Sequence, residues 1–232
     1  MSKPNILFVF VDEHRRECLG CYGEEQIRTP HIDALAAEGV RFDQAYCTFP
    51  VCTPSRYSVM SGLYVHQHGG RSNHSTLSPM LPTWPKALRA TGYRTKAVGK
   101  MHFTPTYLDV GFDEMELAEQ DGPGRMDDDY HRELREAGLV DAFDLYDQRG
   151  EFRERAPQRY WDTFGSDRSD LPEPWDSTSW IGDRAVRSIA QWDEAGGNVL
   201  MASFIKPHHP MDPPEPWDAM YDPASLRMPP GY

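Results

Sequence analysis

Two short stretches constrain the fold most. Asn5-Ile-Leu-Phe-Val-Phe-Val11 and Asn198-Val-Leu-Met-Ala-Ser-Phe-Ile205 are nearly continuous apolar runs rich in β-branched and aromatic residues. A strand with one wet face alternates apolar and polar residues; a strand covered on both faces does not. Both runs therefore predict strands buried on both faces, as in a parallel sheet. Each gives way at once to polar residues: Asp12, Glu13 and His14 after the first, Lys206, His208 and His209 after the second. Open α/β sheets gather their ligands at the carboxyl ends of strands. That position marks Asp12 as a candidate for chemistry, with a solvated loop carboxylate as the plain alternative.

The intervening chain alternates elements in the same manner. Thr29-Pro30 reads as a helix start, with Ile32, Leu35 and Ala36 as its apolar stripe and Gly39 as its end. Val40 to Tyr46 alternates as a strand should. Thr53 to Ser61 reads as a short helix closed by Gly62, and Thr83 to Thr91 as another stopped by Gly92. Tyr93 to Val98 reads as a strand ending on Gly99-Lys100-Met101-His102. Residues from about Thr104 to Ser177 mix acidic residues, Gly, Pro and Trp, with one helix expected from Asp127 to Ala137 behind an acidic start. This region reads as an insertion covering the ligand edge of the sheet. Thr178 to Ala195 is amphipathic, with Trp180, Ile181, Ala185, Val186, Ile189 and Trp192 on its apolar side. The fold class is α/β, with a mostly parallel central sheet and helices on both faces.

Composition removes some functions. The 232 residues carry 24 Lys plus Arg against 36 Asp plus Glu, a net charge of −12. A nucleic-acid partner is not expected of such a chain, because binding it requires neutralising phosphates. A local cationic pocket for a small anion remains compatible. No run is long enough for a membrane span or a signal-peptide core, so the expected compartment is the cytoplasm. The four cysteines, Cys18, Cys21, Cys47 and Cys52, all lie in the first quarter and cannot staple the whole chain. Cys18 and Cys21 have CxxC spacing without a second pair, and His66 and His68 have HxH spacing beside a turn; neither reads as a metal site. Asn73-His74-Ser75 is a glycosylation sequon by pattern only.

The segment with the most chemistry is Cys52-Thr53-Pro54-Ser55-Arg56. Its cysteine sits at a helix start, where backbone N–H groups favour a thiolate or alkoxide, and Arg56 is one turn along. A buried structural thiol beside ordinary helix surface is the alternative on residues alone. The segment resembles the sulfatase signature, in which Cys-x-Pro-Ser-Arg directs oxidation of the cysteine to formylglycine. Met60, Ser61 and Gly62 stand where the family usually has Leu and then Thr-Gly. The first strand with Asp12, Leu19-Gly-Cys-Tyr-Gly23, Thr29-Pro-His-Ile-Asp33, Gly99-Lys-Met-His102 and Pro207-His-His-Pro210 also resemble sulfatases, in the family's order. The resemblance runs from residue 5 to about residue 217, is weakest across the insertion, and extends to phosphonate monoester hydrolases, which share the modified cysteine.

The resemblance implies an alkaline-phosphatase-like fold and a covalent mechanism in which hydrated formylglycine at position 52 attacks sulfur or phosphorus. It implies a divalent metal, Ca2+ first and Mn2+, Mg2+ or Zn2+ for a phosphonate hydrolase, held by Asp12, the residue at position 52 and Glu13 as a direct or indirect ligand. Arg56, Lys100 and His102 are the implied catalytic group; Lys100 and His208 would bind the substrate near its anionic oxygens and leaving group. His209 reads as structural. The implied partners are a small anionic ester and a formylglycine-generating or sulfatase-maturing enzyme. Sulfatases take further metal ligands from a later Asp-His or Asp-Asn pair, and nothing after Lys206 supplies one. Residues 1–232 therefore read as the N-terminal portion of a sulfatase catalytic domain, its C-terminal part missing, with the insertion at about 104–177 and with little or no activity alone. A phosphonate or phosphate ester hydrolase, an inactive remnant or binding module, and a cysteine hydrolase pairing Cys52 with His102 are the other readings.

Overall fold

A computed structural model describes residues 3–120, 127–192 and 194–227. Within them four strands, β1 (Ile6–Val11), β2 (Arg94–Gly99), β3 (Glu114–Leu117) and β4 (Asn198–Phe204), form one parallel sheet in the order β1-β4-β2-β3. The register aligns Val11 with Phe204 and Gly99 with Ser203, so the carboxyl ends of three strands lie side by side. Around the sheet lie α1 (Pro30–Glu38), α2 (Cys52–Ser61), α3 (Val65–His68), α4 (Trp84–Ala90), α5 (Asp129–Glu136), α6 (Ala142–Gln148), α7 (Gly150–Arg153), α8 (Gln158–Thr163) and α9 (Ser177–Ala190).

Strand alternation divides the core in two. Val98, Leu200 and Ala202 face one side, where they pack with Ile181 and Trp180 of α9 and with Tyr130 and Leu134 of α5. Ala97 and Met201 face the other, with Tyr57 and Met60 of α2, and Phe8, Phe10 and Trp84 pack against that cluster. Helices on both faces of a parallel sheet are thus present as the apolar runs require. β4 is the central strand: its first six residues are buried. β1 departs from expectation. It lies at the edge of the sheet, and Leu7 and Val9 are 47% and 52% exposed, because no described residue covers that face.

Other boundaries and faces are corrected. Residues 40–46 form no strand, and Val40, Phe42 and Tyr46 are exposed. Alternation makes a strand only where a neighbour completes its ladder, and the described sheet offers this segment none. α1 forms where expected but buries nothing, so its stripe faces outward. Thr29 does not cap it in the usual way; its hydroxyl bonds Asp33 and accepts from the Gly20 N–H. α9 starts at an Asp176 cap and ends at Ala190, short of Ala195, and Val186 is 66% exposed because it turns away from the Trp180–Ile181–Ala185 face. The acidic run does start a helix: Asp128 accepts from the His131 N–H at 2.7 Å and caps α5. The 104–177 region also contributes β3 to the sheet, which the sequence did not announce. Its residues 121–126, and residues 228–232, lie outside the described residues.

Gly99 joins this fold to the chemistry. It ends β2 with φ at +94°, and a Cβ there would meet the Ser203 carbonyl oxygen at 2.1 Å. Only glycine tolerates both conditions. Gly99→Ala is expected to cost roughly 3 kcal/mol or more, from left-handed backbone strain and displacement of the central strand. Urea unfolding measures it, and a loss below about 1 kcal/mol would contradict the strain described.

Candidate active site

The site is built at the aligned strand ends. β1 delivers Asp12, whose backbone N–H donates to the Phe204 carbonyl at 3.1 Å, so β4 fixes its position. β2 delivers Lys100, whose N–H donates to the Ser203 carbonyl at 2.9 Å. α2 begins at Cys52 itself, one residue earlier than the sequence indicated, and places Arg56 one turn inside. Arg56 and Lys100 are among the largest fully buried side chains of the protein.

These side chains converge on one carboxylate. Lys100 Nζ lies 2.6 Å from Asp12 Oδ2, and Arg56 Nη2 lies 3.4 Å from the same oxygen. Cys52 Sγ lies 3.7 and 3.9 Å from the two Asp12 oxygens. Burial works to raise the Asp12 pKa, but the adjacent Lys100 and Arg56 charges outweigh it and hold the carboxyl at about 2. Arg56 Nη1 donates to the Lys100 carbonyl and, at 2.9 Å, to Ser203 Oγ. Its guanidinium lies over the Phe10 ring at 5.0 Å. Arg56 Nη2 makes no hydrogen bond. Nη1 is therefore held by two hydrogen bonds, whereas Nη2 has only its 3.4 Å ion pair with Asp12 among the described residues.

His102 follows in an unusual conformation, with φ at +57°. Its turn is held from three directions. Thr53 Oγ1 donates to the His102 carbonyl at 2.8 Å. Glu119 accepts from the Met101 N–H at 2.9 Å and the His102 N–H at 3.0 Å. Asp128 accepts in turn from the Glu119 N–H at 2.8 Å. Burial pushes the Glu119 carboxyl up to about 7, against the pull of those two amides. The His102 ring is buried with both nitrogens unpartnered, and burial together with Lys100 and Arg56 pushes its pKa down to about 3.

His208 comes from the loop after β4, is buried, and lines a cavity together with Asp12 and Cys52. That cavity is about 570 Å3, with Phe10, Val51 and Pro50 among its apolar lining and Asp12, Cys52, Arg56 and Asn73 among its polar lining. Burial and Lys100 push the His208 pKa down to about 4. Glu13 stands apart from Asp12: it is half exposed, at φ +57°, with its carboxylate 3.5 Å from His208 Nε2. His209 is half exposed, stacks on His208 at 4.2 Å and pairs with Asp147 at 3.2 Å, in keeping with a structural role.

Asp12, Cys52 and His208 offer donor atoms within 4.8 Å of one another, and so do Glu13, His208 and His209. One carboxylate, one thiol and one imidazole do not make a calcium shell, which takes six to eight oxygens. The described residues therefore fit a hard cation only in part. The remaining candidates fall elsewhere. His68 bonds Ser58 Oγ and the Gly70 N–H, and neither it nor His66, Cys18 or Cys21 joins a metal-type cluster among the described residues. A thiolate–imidazole pair at Cys52 is not formed either: burial raises its thiol pKa, and its side-chain partner is Asp12 rather than His102. Sequence reading missed Ser203, Glu119, Gln120 and Asn73 as site residues. Ser203 carried a signal, as a lone hydroxyl near the end of an apolar run; the sequon residue Asn73 accepts from the Thr53 N–H at 3.1 Å.

Comparison with known proteins identifies the family. A family model described as Sulfatase matches residues 4–225. An arylsulfatase of Clostridium perfringens is 30% identical over 98% of this chain and 48% of its own length. An uncharacterized sulfatase, YidJ, of Escherichia coli K12 is 32% identical over 92% of this chain and 40% of its own. The chain thus spans about half or less of the curated relatives it matches. In fold, it superposes on a phosphonate monoester hydrolase from Silicibacter pomeroyi with a TM-score of 0.74, at 23% identity, covering 98% of this chain and 46% of that one. The aligned strand ends, the cysteine-led helix and the family match lead to one statement: the chain belongs to the sulfatase family.

Proposed function

We propose that this chain carries the nucleophile and anion-binding groups of a sulfuric ester hydrolase, with Cys52 converted to formylglycine by a maturing enzyme and a small anionic ester as substrate. The observation that carries the reading is the buried pair of cations, Arg56 and Lys100, around a single ionised carboxylate next to Cys52. Asp12 offsets one of the two positive charges. The other is buried without an equivalent carboxylate in contact among the described residues, an arrangement that costs stability unless an anion enters. Arg56 Nη2, ion-paired with Asp12 at 3.4 Å but without a hydrogen bond among the described residues, is the donor such an anion would engage.

Formylglycine and a divalent cation would supply the attacking oxygen and the polarisation of the ester, with calcium the first candidate and manganese, magnesium or zinc for phosphonate substrates. Asp12 is the residue of this chain suited to hold the cation; Glu13 would assist from the rim. Lys100 fixes an ester oxygen as a point charge, and Arg56 orients a second through its planar fork. His102, neutral and unpartnered, can take or return a proton at either ring nitrogen. His208 faces the same cavity and would serve the leaving-group side. The apolar lining excludes water and strengthens each of these interactions. With one carboxylate available to the cation, the 232-residue chain by itself is expected to turn over little substrate.

Three outcomes test the reading. An aldehyde-reactive hydroxylamine should label position 52 in chain produced with a maturing enzyme, and iodoacetamide labelling there instead would oppose it. In an active preparation, Cys52→Ala should lower aryl sulfate hydrolysis at least about a thousandfold. An aryl phosphonate monoester hydrolysed faster than the sulfate would assign the phosphonate chemistry.

The buried histidine gives a second prediction that needs no turnover. A histidine whose folded pKa lies below its unfolded value binds protons less readily when folded, so its stabilising contribution is complete above 6.5 and is lost as pH falls toward 3. His208 acts in the same direction, whereas Glu119, with its raised pKa, acts in the opposite one. His102→Gln isolates the first term. Between pH 7 and 5 the parent should lose up to about 2 kcal/mol relative to this variant in urea unfolding. Parallel stability curves would mean that His102 is not held neutral.

A further inference from the structure

Gln120 lies just past β3, beyond Ala118 and Glu119, and is fully buried. Its Oε1 accepts from Lys100 Nζ at 3.1 Å. Its Nε2 donates to Asp144 Oδ1 at 3.2 Å and to the His209 carbonyl at 2.5 Å. That carbonyl also lies 2.6 Å from His208 Nδ1. The amide has one chemically sensible orientation, because a carboxylate and a carbonyl both demand the NH2 end, which turns the oxygen to the ammonium. One side chain therefore joins the two arms of the site that arrive from different strands: Lys100 after β2 and His208 after β4.

We propose that Gln120 is a positioning residue for the anion site, holding the Lys100 ammonium on Asp12 and the His208–His209 segment in a single buried network. Lys100 has four flexible methylenes and one short ionic contact. A second, neutral acceptor at a fixed angle selects one rotamer without cancelling the charge that an anion needs. A carboxylate in its place would neutralise Lys100, and an apolar residue would leave the ammonium, Asp144 and the His209 carbonyl short of a partner. A glutamine meets all three demands. Its reach explains why a residue of the 104–177 region sits in the interior rather than at the rim. The proposal rests on the reading of Lys100 and His208 as anion-binding groups.

The test reads the 15N-labelled 232-residue chain by NMR. In the parent, the Lys100 ammonium should give a resolved, slowly exchanging signal. Gln120→Leu should speed its exchange with water at least about tenfold and move the His208 ring nitrogens. Gln120→Glu keeps an acceptor toward Lys100 but sets an oxygen against Asp144 and the His209 carbonyl, so it should keep slow Lys100 exchange while moving the His208 ring nitrogens. A cooperatively folded Gln120→Leu chain with unchanged Lys100 exchange and unchanged His208 shifts overturns the proposal. If the leucine variant does not fold, Gln120→Asn decides in its place: one methylene shorter, it should lose the reach to Lys100, and parent-like exchange would overturn the proposal equally. No hydrolysis enters these spectra, so a chain that proves unable to cleave sulfate esters still shows whether Gln120 ties the two arms together.

Discussion

Asp12 is the pivot of the structure. Its carboxylate receives Lys100 and Arg56, both buried, and each of those cations anchors a different element. Lys100 belongs to the turn after β2, and Arg56 belongs to α2, so a single acidic side chain at the end of β1 holds a strand turn and a helix against one another. Desolvating three charged groups is expensive, and mutual attraction recovers the cost only with good geometry and full hydrogen bonding. The hydrogen bonds are supplied by the backbone of Lys100, by Ser203 and by Gln120. The incomplete part is Arg56 Nη2, which has its ion pair with Asp12 but no hydrogen bond among the described residues.

The same economy applies to the turn at Met101 and His102. A left-handed residue with a buried aromatic ring is strained, and such strain persists only when the surroundings over-determine it. Here Glu119 takes two amide protons and Thr53 binds the carbonyl. The ring is left free because the backbone is so thoroughly held. Rigidity in the main chain and an unused imidazole are two sides of one arrangement.

What could be read in the sequence follows from how local each signal is. β4 was legible because seven apolar or small residues in a row have few alternatives, and Asp12, Cys52, Arg56, Lys100 and His208 were legible because each stands in a short pattern at an element's end. β3 was not legible. It has four residues, and its outward side chains are Glu114 and Glu116, which pair with Lys96 on β2 and look like loop acids in the sequence. Glu119 and Gln120 stayed hidden with it, because their partners at Met101, His102, Lys100 and Asp144 lie 17 to 24 residues away and the His209 carbonyl lies 89 away. The failed strand at 40–46 is the converse: its local pattern is sound, and the missing ingredient is a neighbour.

The exposed edge of β1 has a consequence for handling the molecule. Leu7 and Val9 stand on the open face of a parallel strand whose outer backbone groups face no described partner, and Leu35, Val40, Phe42 and Tyr46 are also exposed. An uncovered strand edge with apolar side chains is a template for self-association. Concentration, rather than temperature or denaturant, then becomes the variable that limits the isolated chain. The strand that would pair is also the one that presents Asp12, so any association through this edge takes place beside that carboxylate.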